Sequence, residues 1–206
     1  MNALLDNLIA ALNRLPGIGR RTAERMAFML VEDQRGLTKI LANTLLDIED
    51  NIVCCKRCNA IIEKNINPCD GKECLHRLCS KDRSESHVIC IVESPSDIIK
   101  IEETGSFKGR YHALLGKLSP INGIGIADLK IKALLERINE ENITEVLIAL
   151  GSDVESEATA NYLWELLEPR GIKITRMAQG IPRGSAIEYS DTSTLSDAIR
   201  GRVNYK

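Results

Sequence analysis

The chain has 206 residues, a formal net charge of −2 and 44% hydrophobic residues, a size open to one large domain or several small ones. No apolar run approaches the roughly 20 residues of a membrane helix, and the N-terminal MNALLDNLIAALNRLPGIG carries Asp6 early, without the basic start or cleavage site of a signal peptide. A soluble, cytoplasmic protein is expected. Near-neutral charge and 3% aromatic content argue against nucleic-acid binding through overall basicity or aromatic stacking platforms, so any such contact needs a local patch.

In chain order, Leu4, Leu5, Leu8, Leu12 and Leu15 recur at helical spacing and predict a first amphipathic helix, broken by Pro16-Gly17-Ile18-Gly19. A second helix follows, with Ala23, Met26, Ala27 and Leu30 as its apolar stripe, and a third runs from about Leu37 to Ile48. The turn between the first two helices is rich in chemistry. Gly17 and Gly19 let the backbone approach a phosphate closely, and the next helix aims its free N–H groups and positive dipole end at the same spot. Arg14, Arg20, Arg21 and Arg25 face one acid, Glu24, in this stretch. Arg21 and Arg25, four apart, share a helix face. This is the physics of a helix-hairpin-helix that grips the sugar-phosphate backbone without reading sequence; the bland alternative is a helical turn with solvated arginines.

Six of the seven cysteines, at positions 54, 55, 58, 69, 74 and 79, come next. In a cytosolic chain such a cluster indicates a metal. Cys55-x2-Cys58 has the spacing with which two thiolates wrap one tetrahedral ion. For the second pair Cys69, Cys74 and Cys79 are all candidates, and His76-x2-Cys79 is a further one. Four ligands would close the site, which predicts a structural zinc, one per chain; the segment has too few apolar residues to build a core without it. Cys90, inside VICIV, is expected to be a small buried hydrophobe.

From residue 88 the pattern alternates between strands and helices. VICIV, Tyr111–Leu115, EVLIAL and IKITR read as strands. PSDIIKIEE, a segment with Ile131, Leu134, Leu135 and Ile138, and one with Ala160, Leu163 and Leu167, ended by Pro169, read as helices. Such alternation predicts a mainly parallel sheet covered by helices. The loop GKLSPINGIGIAD lacks the Lys-Ser/Thr of a phosphate-binding loop, and AIEYSD is only a weak match to a Walker B strand.

Taken together, LPGIGRRTAERMAF, Cys55-x2-Cys58, ICIVESPSDI, LSPINGIG, ITEVLIAL with EATANYL, and GIPRG with TLSDAIRGR resemble the RecR family of bacterial recombination mediators over essentially the whole chain. The resemblance implies a helix-hairpin-helix DNA-binding domain over 1–53, a four-cysteine zinc finger over 54–83, a Toprim domain over 84–181 and a C-terminal segment over 182–206 that packs back on it. It further implies a ring-shaped homotetramer that clamps gapped or junction DNA and works with RecO and RecF to load RecA, in the cytoplasm at the nucleoid. The family normally has Cys-x2-Cys as its second pair. Here the stretch from Cys58 to Cys79 is lengthened: LCSKDR resembles the last ligand, favouring Cys79, NPC resembles the third, favouring Cys69, and Cys74 can substitute for either.

Toprim enzymes hold Mg²⁺ with a glutamate after the first strand and an Asp-x-Asp pair after a later one, because a hard cation wants oxygen ligands. Glu93 stands at the first position, and Asp153, Glu155 and Glu157 follow EVLIAL, at the edge where open α/β sheets place their sites. The strict Asp-x-Asp is absent, Gly151-Ser152-Asp153 replaces the neutral stretch usual in the family, and no tyrosine nucleophile is identifiable beside the cluster. The resemblance therefore points to Glu93, Glu155 and Glu157 as a docking surface for a basic partner, with Mg²⁺ binding and a Toprim-type nuclease or strand-passing enzyme as the disfavoured alternative.

Overall fold

The structure is a computed structural model that describes residues 2–65, 69, 74, 76–80 and 82–204. It divides into two compact units, Met1–Val53 and Cys54–Lys206.

The first unit is helical: α1 (Ala3–Asn13), α2 (Arg20–Glu32) and α3 (Leu37–Asn51). Asn2 caps α1 by accepting from the Leu4 N–H at 3.0 Å. The core between α1 and α2 centres on Ile9, Ala23 and Ala27, with Leu5, Leu8, Leu12 and Ile18 packed around them. Two small alanines let the helices approach closely, and the predicted stripe is shifted by that contact: Ile9 is buried, while Leu4 and Leu15 are exposed. Helix α3 buries none of its residues and exposes Ile40, Leu45, Leu46 and Ile48.

Strand β1 (Ile52–Cys54) crosses the boundary between the units, and with β2 (Ile61–Glu63) it flanks the first cysteine turn. The second unit continues through β3 (Val88–Val92), α4 (Pro95–Glu103), β4 (Arg110–Ala113), α5 (Ile131–Glu140), β5 (Glu145–Ala149), α6 (Val154–Leu167), β6 (Lys173–Arg176) and α7 (Thr192–Arg200). The predicted parallel sheet is present: β4-β3-β5-β6, every neighbouring pair parallel. The run AIEYSD forms a 3₁₀ turn at Ile187–Tyr189 and no strand.

Strand β3 is buried along its whole length and distributes its side chains to two cores. Ile89 and Ile91 join Val146, Ile148, Leu134, Ile138, Leu163 and Leu167 under α5 and α6. Cys90 and Val92 join Tyr111, Ala113 and Ile98 on the other face, and the rest of that core is Cys55, Cys58, Ala60, Ile62 and Cys79. The cysteine segment is thus one of the layers that covers the sheet. It also covers the edge: the Ala113 N–H donates to Cys58 C=O at 2.9 Å, and Asn59, at φ 60, donates from Nδ2 to Ala113 C=O at 2.7 Å. Cys90 behaves as the small hydrophobe expected, its thiol pKa pushed up to about 12 by burial.

One carboxylate ties this arrangement together. Glu141, at the end of α5, has a buried side chain that accepts from Arg57 Nε at 2.6 Å, from Arg137 Nε at 2.7 Å and from Arg110. Burial opposes its charge, but the Arg137 charge and the hydrogen bonds from Arg137, Arg57 and Arg110 outweigh it and hold its pKa below the usual range. Removing one partner of a buried ion cluster costs far more than the cluster adds, since the remaining charges stay desolvated. Glu141→Gln should therefore lower unfolding free energy by about 3–5 kcal/mol, read as a lower urea midpoint.

His112 is fully buried in β4, with Nε2 3.0 Å from Lys130 C=O. Burial first, and Arg137 second, lower its pKa from 6.5 to about 4. With the folded pKa below the unfolded one, its neutral form is favoured in the native state. That contribution is intact above about pH 6.5 and is lost as pH falls towards 4, to a total on the order of 3 kcal/mol. Urea midpoints across this window should fall in the wild type and fall less in His112→Gln.

Candidate nucleic-acid interface and metal centre

The turn after α1 places Gly17 at φ 80, a backbone conformation other residues resist, and Gly19 at the N-cap of α2. A Cβ at either glycine would meet no atom within 4 Å, so this surface is open to a ligand's approach. No side chain caps the first turn of α2, which leaves backbone N–H groups and the positive dipole end facing outward. Arg14, Arg20, Arg21 and Arg25 are all exposed around this point. Arg20 Nε lies 3.1 Å from Glu24 Oε1, an exposed i,i+4 pair that costs little to break. Every residue singled out from the sequence as a phosphate contact, Gly17, Gly19, Arg20, Arg21 and Arg25, thus sits on the open side of the α1–α2 hairpin, opposite its alanine-lined core.

In the second unit the cysteine segment converges. Cys55 Sγ lies 3.4 Å from Cys69 Sγ, 3.2 Å from Cys74 Sγ and 4.0 Å from Cys79 Sγ, and Cys58 Sγ lies 3.4 Å from His76 Nε2. Ligand atoms of Cys55, Cys74, His76 and Cys79 all fall within 4.8 Å of one another, a group that could hold a metal ion and whose soft donors suit zinc. Cys69 and Cys74 are joined by a disulfide. The expectation that NPC marks the third ligand rests partly on Asn67 and Pro68, which lie outside the described residues.

The electrostatics favour a cation. Hydrogen bonds from Cys58 and then Cys79 lower the Cys55 pKa, whereas the bond to Cys55 raises that of Cys58 and pushes Cys79 up to about 12. Bunched sulfurs cannot all ionise against one another; a dication at their centre removes that penalty. The backbone is ready for thiolates, since the N–H groups of Arg57 and Cys58 both point at Cys55 Sγ at 3.4 Å. The Arg137 charge is opposed by burial but held by Cys79 and Glu141. Arg57, Arg110 and Arg137 share Glu141, and Arg57 also reaches Glu140 at 3.5 Å, so three guanidiniums face two carboxylates and a singly negative metal–thiolate centre beside them would offset the remaining cationic charge.

At the C-terminal edge of the sheet the predicted acidic residues divide into two groups. Lys117, which the sequence reading passed over, reaches Asp153 Oδ2 at 2.8 Å, Glu155 Oε2 at 3.8 Å and Glu93 Oε2 at 3.9 Å. Its pKa is raised, first by the hydrogen bond to Asp153 and then by the three carboxylates; the same bond holds Asp153 well below the carboxylate range. Glu155 also accepts from the buried Ser119 hydroxyl. Glu157 turns away and pairs with Arg176, with Nη1 at 2.9 Å. Lys117 follows β4 in the chain and β3 in space, so only the parallel crossover brings it between Glu93 and the start of α6.

A parallel four-stranded sheet with acidic residues at its carboxyl edge, a cysteine segment that could hold a metal ion on one face and a helical hairpin before it in the chain define a Toprim-domain protein. Two of these parts match known families: the Toprim domain family matches residues 87–178, and the helix-hairpin-helix family of RecR matches residues 5–48. Proteins called recombination protein RecR align over nearly the whole chain. That of Thermobifida fusca is 42% identical, covering 96% of this chain and 95% of its own. That of Pelodictyon phaeoclathratiforme is 41% identical, covering 98% and 97%, and that of Chloroherpeton thalassium 38%, covering 96% and 95%. The chain belongs to the RecR family and has a role in recombination repair. Among the described residues no helix is long and apolar enough to cross a membrane.

Proposed function

We propose that this protein is a recombination mediator without catalysis of its own, a DNA-binding scaffold that works with RecO and RecF to load RecA at gapped DNA. The observation that carries the reading is the α1–α2 hairpin, with an uncapped helix N-terminus, an unobstructed glycine turn and exposed arginines close by in the chain. Such a surface holds phosphates and reads no bases. The half-exposed apolar side chains of α3 support assembly with further copies into a clamp-like homotetramer, because covering them removes apolar surface from water. The cysteine and histidine donors fit a structural zinc, one per chain, that stabilises the layer covering the sheet. A cytoplasmic, nucleoid-associated location follows from this role.

If Arg21 and Arg25 meet phosphates, replacing both with alanine should weaken binding to all DNA sequences alike. It should also flatten the logarithmic salt dependence by roughly one unit per lost contact. Fluorescence anisotropy with duplex and gapped DNA at several salt concentrations measures both. Unchanged affinity at low salt in the folded variant would assign the hairpin to assembly alone.

For the acidic edge we propose docking of a basic partner, RecO, on Glu93 and Glu155, with Glu157 contributing less because Arg176 already pairs with it. The Mg²⁺-dependent nuclease or strand-passing reading is disfavoured because the Lys117 ammonium already stands among Glu93, Asp153 and Glu155. Attraction between the carboxylates and a basic partner should be screened by salt, even though Lys117 tempers the negative field the partner would feel. Charge reversal at Glu93 or Glu155 should abolish RecO binding by calorimetric titration while leaving DNA affinity intact. Retained RecO affinity would remove the docking role; Mg²⁺-dependent cleavage of gapped DNA, lost in the same variants, would establish the enzyme.

A further inference from the structure

We propose that the zinc ligands are Cys55, Cys58, His76 and Cys79, a three-sulfur, one-nitrogen set, and that Cys69 and Cys74 stand outside it as a separate pair. The inference rests on the structural-zinc reading and concerns which of six crowded donors make it. The spacing is symmetric: Cys55-x2-Cys58 and His76-x2-Cys79 each present two donors three residues apart, the arrangement in which one turn wraps one tetrahedral ion. Both turns are formed, with the Asn59 N–H donating to Cys55 C=O at 2.9 Å in the first and the Cys79 N–H to His76 C=O at 3.0 Å in the second.

Burial separates the six. Cys55, Cys58, His76 and Cys79 are all 5% exposed or less, whereas Cys69 and Cys74 are only half-buried. Distance agrees. Zinc bonds of about 2.3 Å to sulfur and about 2.0–2.1 Å to nitrogen, set tetrahedrally, put sulfurs about 3.8 Å apart and sulfur about 3.5 Å from nitrogen. Cys55 and Cys79 lie 4.0 Å apart, and Cys58 lies 3.4 Å from His76. Cys74, which also falls near the centre, shares its sulfur with Cys69 in a disulfide, and a disulfide sulfur is not a thiolate.

Charge is consistent as well. Three thiolates and a neutral imidazole around Zn²⁺ leave one negative charge in place of the two that four thiolates would leave. The centre shares its core with a sheet face and has the Arg137 guanidinium as its cationic neighbour, so a singly charged complex is the less costly to bury. The lengthened stretch between the knuckles then carries Cys69 and Cys74 as an addition to the site.

Zinc content, chelator-competition affinity and zinc K-edge X-ray absorption on the full-length protein test this, with His76→Ala, His76→Cys and the Cys69→Ser/Cys74→Ser double variant alongside the wild type. The expected wild-type result is one zinc per chain in a shell of three sulfurs and one nitrogen. The double variant should keep its zinc, with affinity within about threefold of wild type. His76→Ala should lose more than the roughly 100-fold that removal of an outer partner costs, and His76→Cys should restore binding with a four-sulfur shell. A four-sulfur shell in the wild type, or zinc lost from the double variant and kept by His76→Ala, would overturn the assignment and leave the zinc reading standing. Wild-type protein purified without zinc, and unable to take it up, would remove both.

Discussion

The buried carboxylate of Glu141 is the point on which the second unit depends. It gathers guanidinium groups from the first cysteine turn, from the start of β4 and from α5, three segments that share no local sequence. In water each of these ions would be solvated independently. Inside, none can be relinquished without stranding the others, so the cluster specifies one way of docking the cysteine segment on the sheet. Arg83 and Arg77 do the same at the far end of that segment. Both pair with Glu102 of α4, which also accepts from Tyr111 Oη at 2.7 Å, and Arg83 lies over the Tyr111 ring.

This docking changes what the metal centre means for the protein. A zinc finger held on a flexible linker could lose its ion and unfold alone. Here its ligands contribute to the core that buries Cys90, Val92 and Tyr111, and its backbone satisfies the open edge of β4. Loss of metal should propagate into the sheet, and stability and metal affinity become one linked quantity. Thiolates on a bound metal ion and the guanidinium of Arg137 would compensate each other in a place where neither charge is cheap alone.

The two polar surfaces of the molecule are governed by opposite rules. At the α1–α2 hairpin the arginines are left exposed, and the one internal pair, Arg20 with Glu24, is solvated; such charges act at a distance and are weakened by salt. At the sheet edge the carboxylates are answered internally, Glu93, Asp153 and Glu155 by Lys117 and Glu157 by Arg176. A surface of that kind selects a partner that can displace or accommodate the lysine, which makes it more discriminating than a bare acidic patch.

Much of this was legible from residue order. Period-two burial cannot be read from VICIV, but its continuous apolar run and the helical stripes around it predicted a parallel strand, and β3 is buried on both faces. The hairpin was legible because its chemistry is local: a turn, a helix start and arginines at i and i+4. Local spacing also singled out the Cys55-x2-Cys58 pair and offered His76-x2-Cys79 as one candidate for the second. What sequence could not rank was six donors crowded into one stretch, because burial and convergence are properties of the folded segment. Nor could it find Glu141 or Lys117, an ordinary glutamate ending a helix and an ordinary lysine in a glycine-rich loop. Their importance comes from partners brought close by parallel crossovers, Arg57 across 84 positions and Asp153 across 36. Sequence by itself determined the elements, their order and the kinds of chemistry present, since these depend on neighbours along the chain. Which charges are buried, which carboxylates are already answered and which donors face one another were decided only by the tertiary structure, because electrostatic energy depends on distance and desolvation through space.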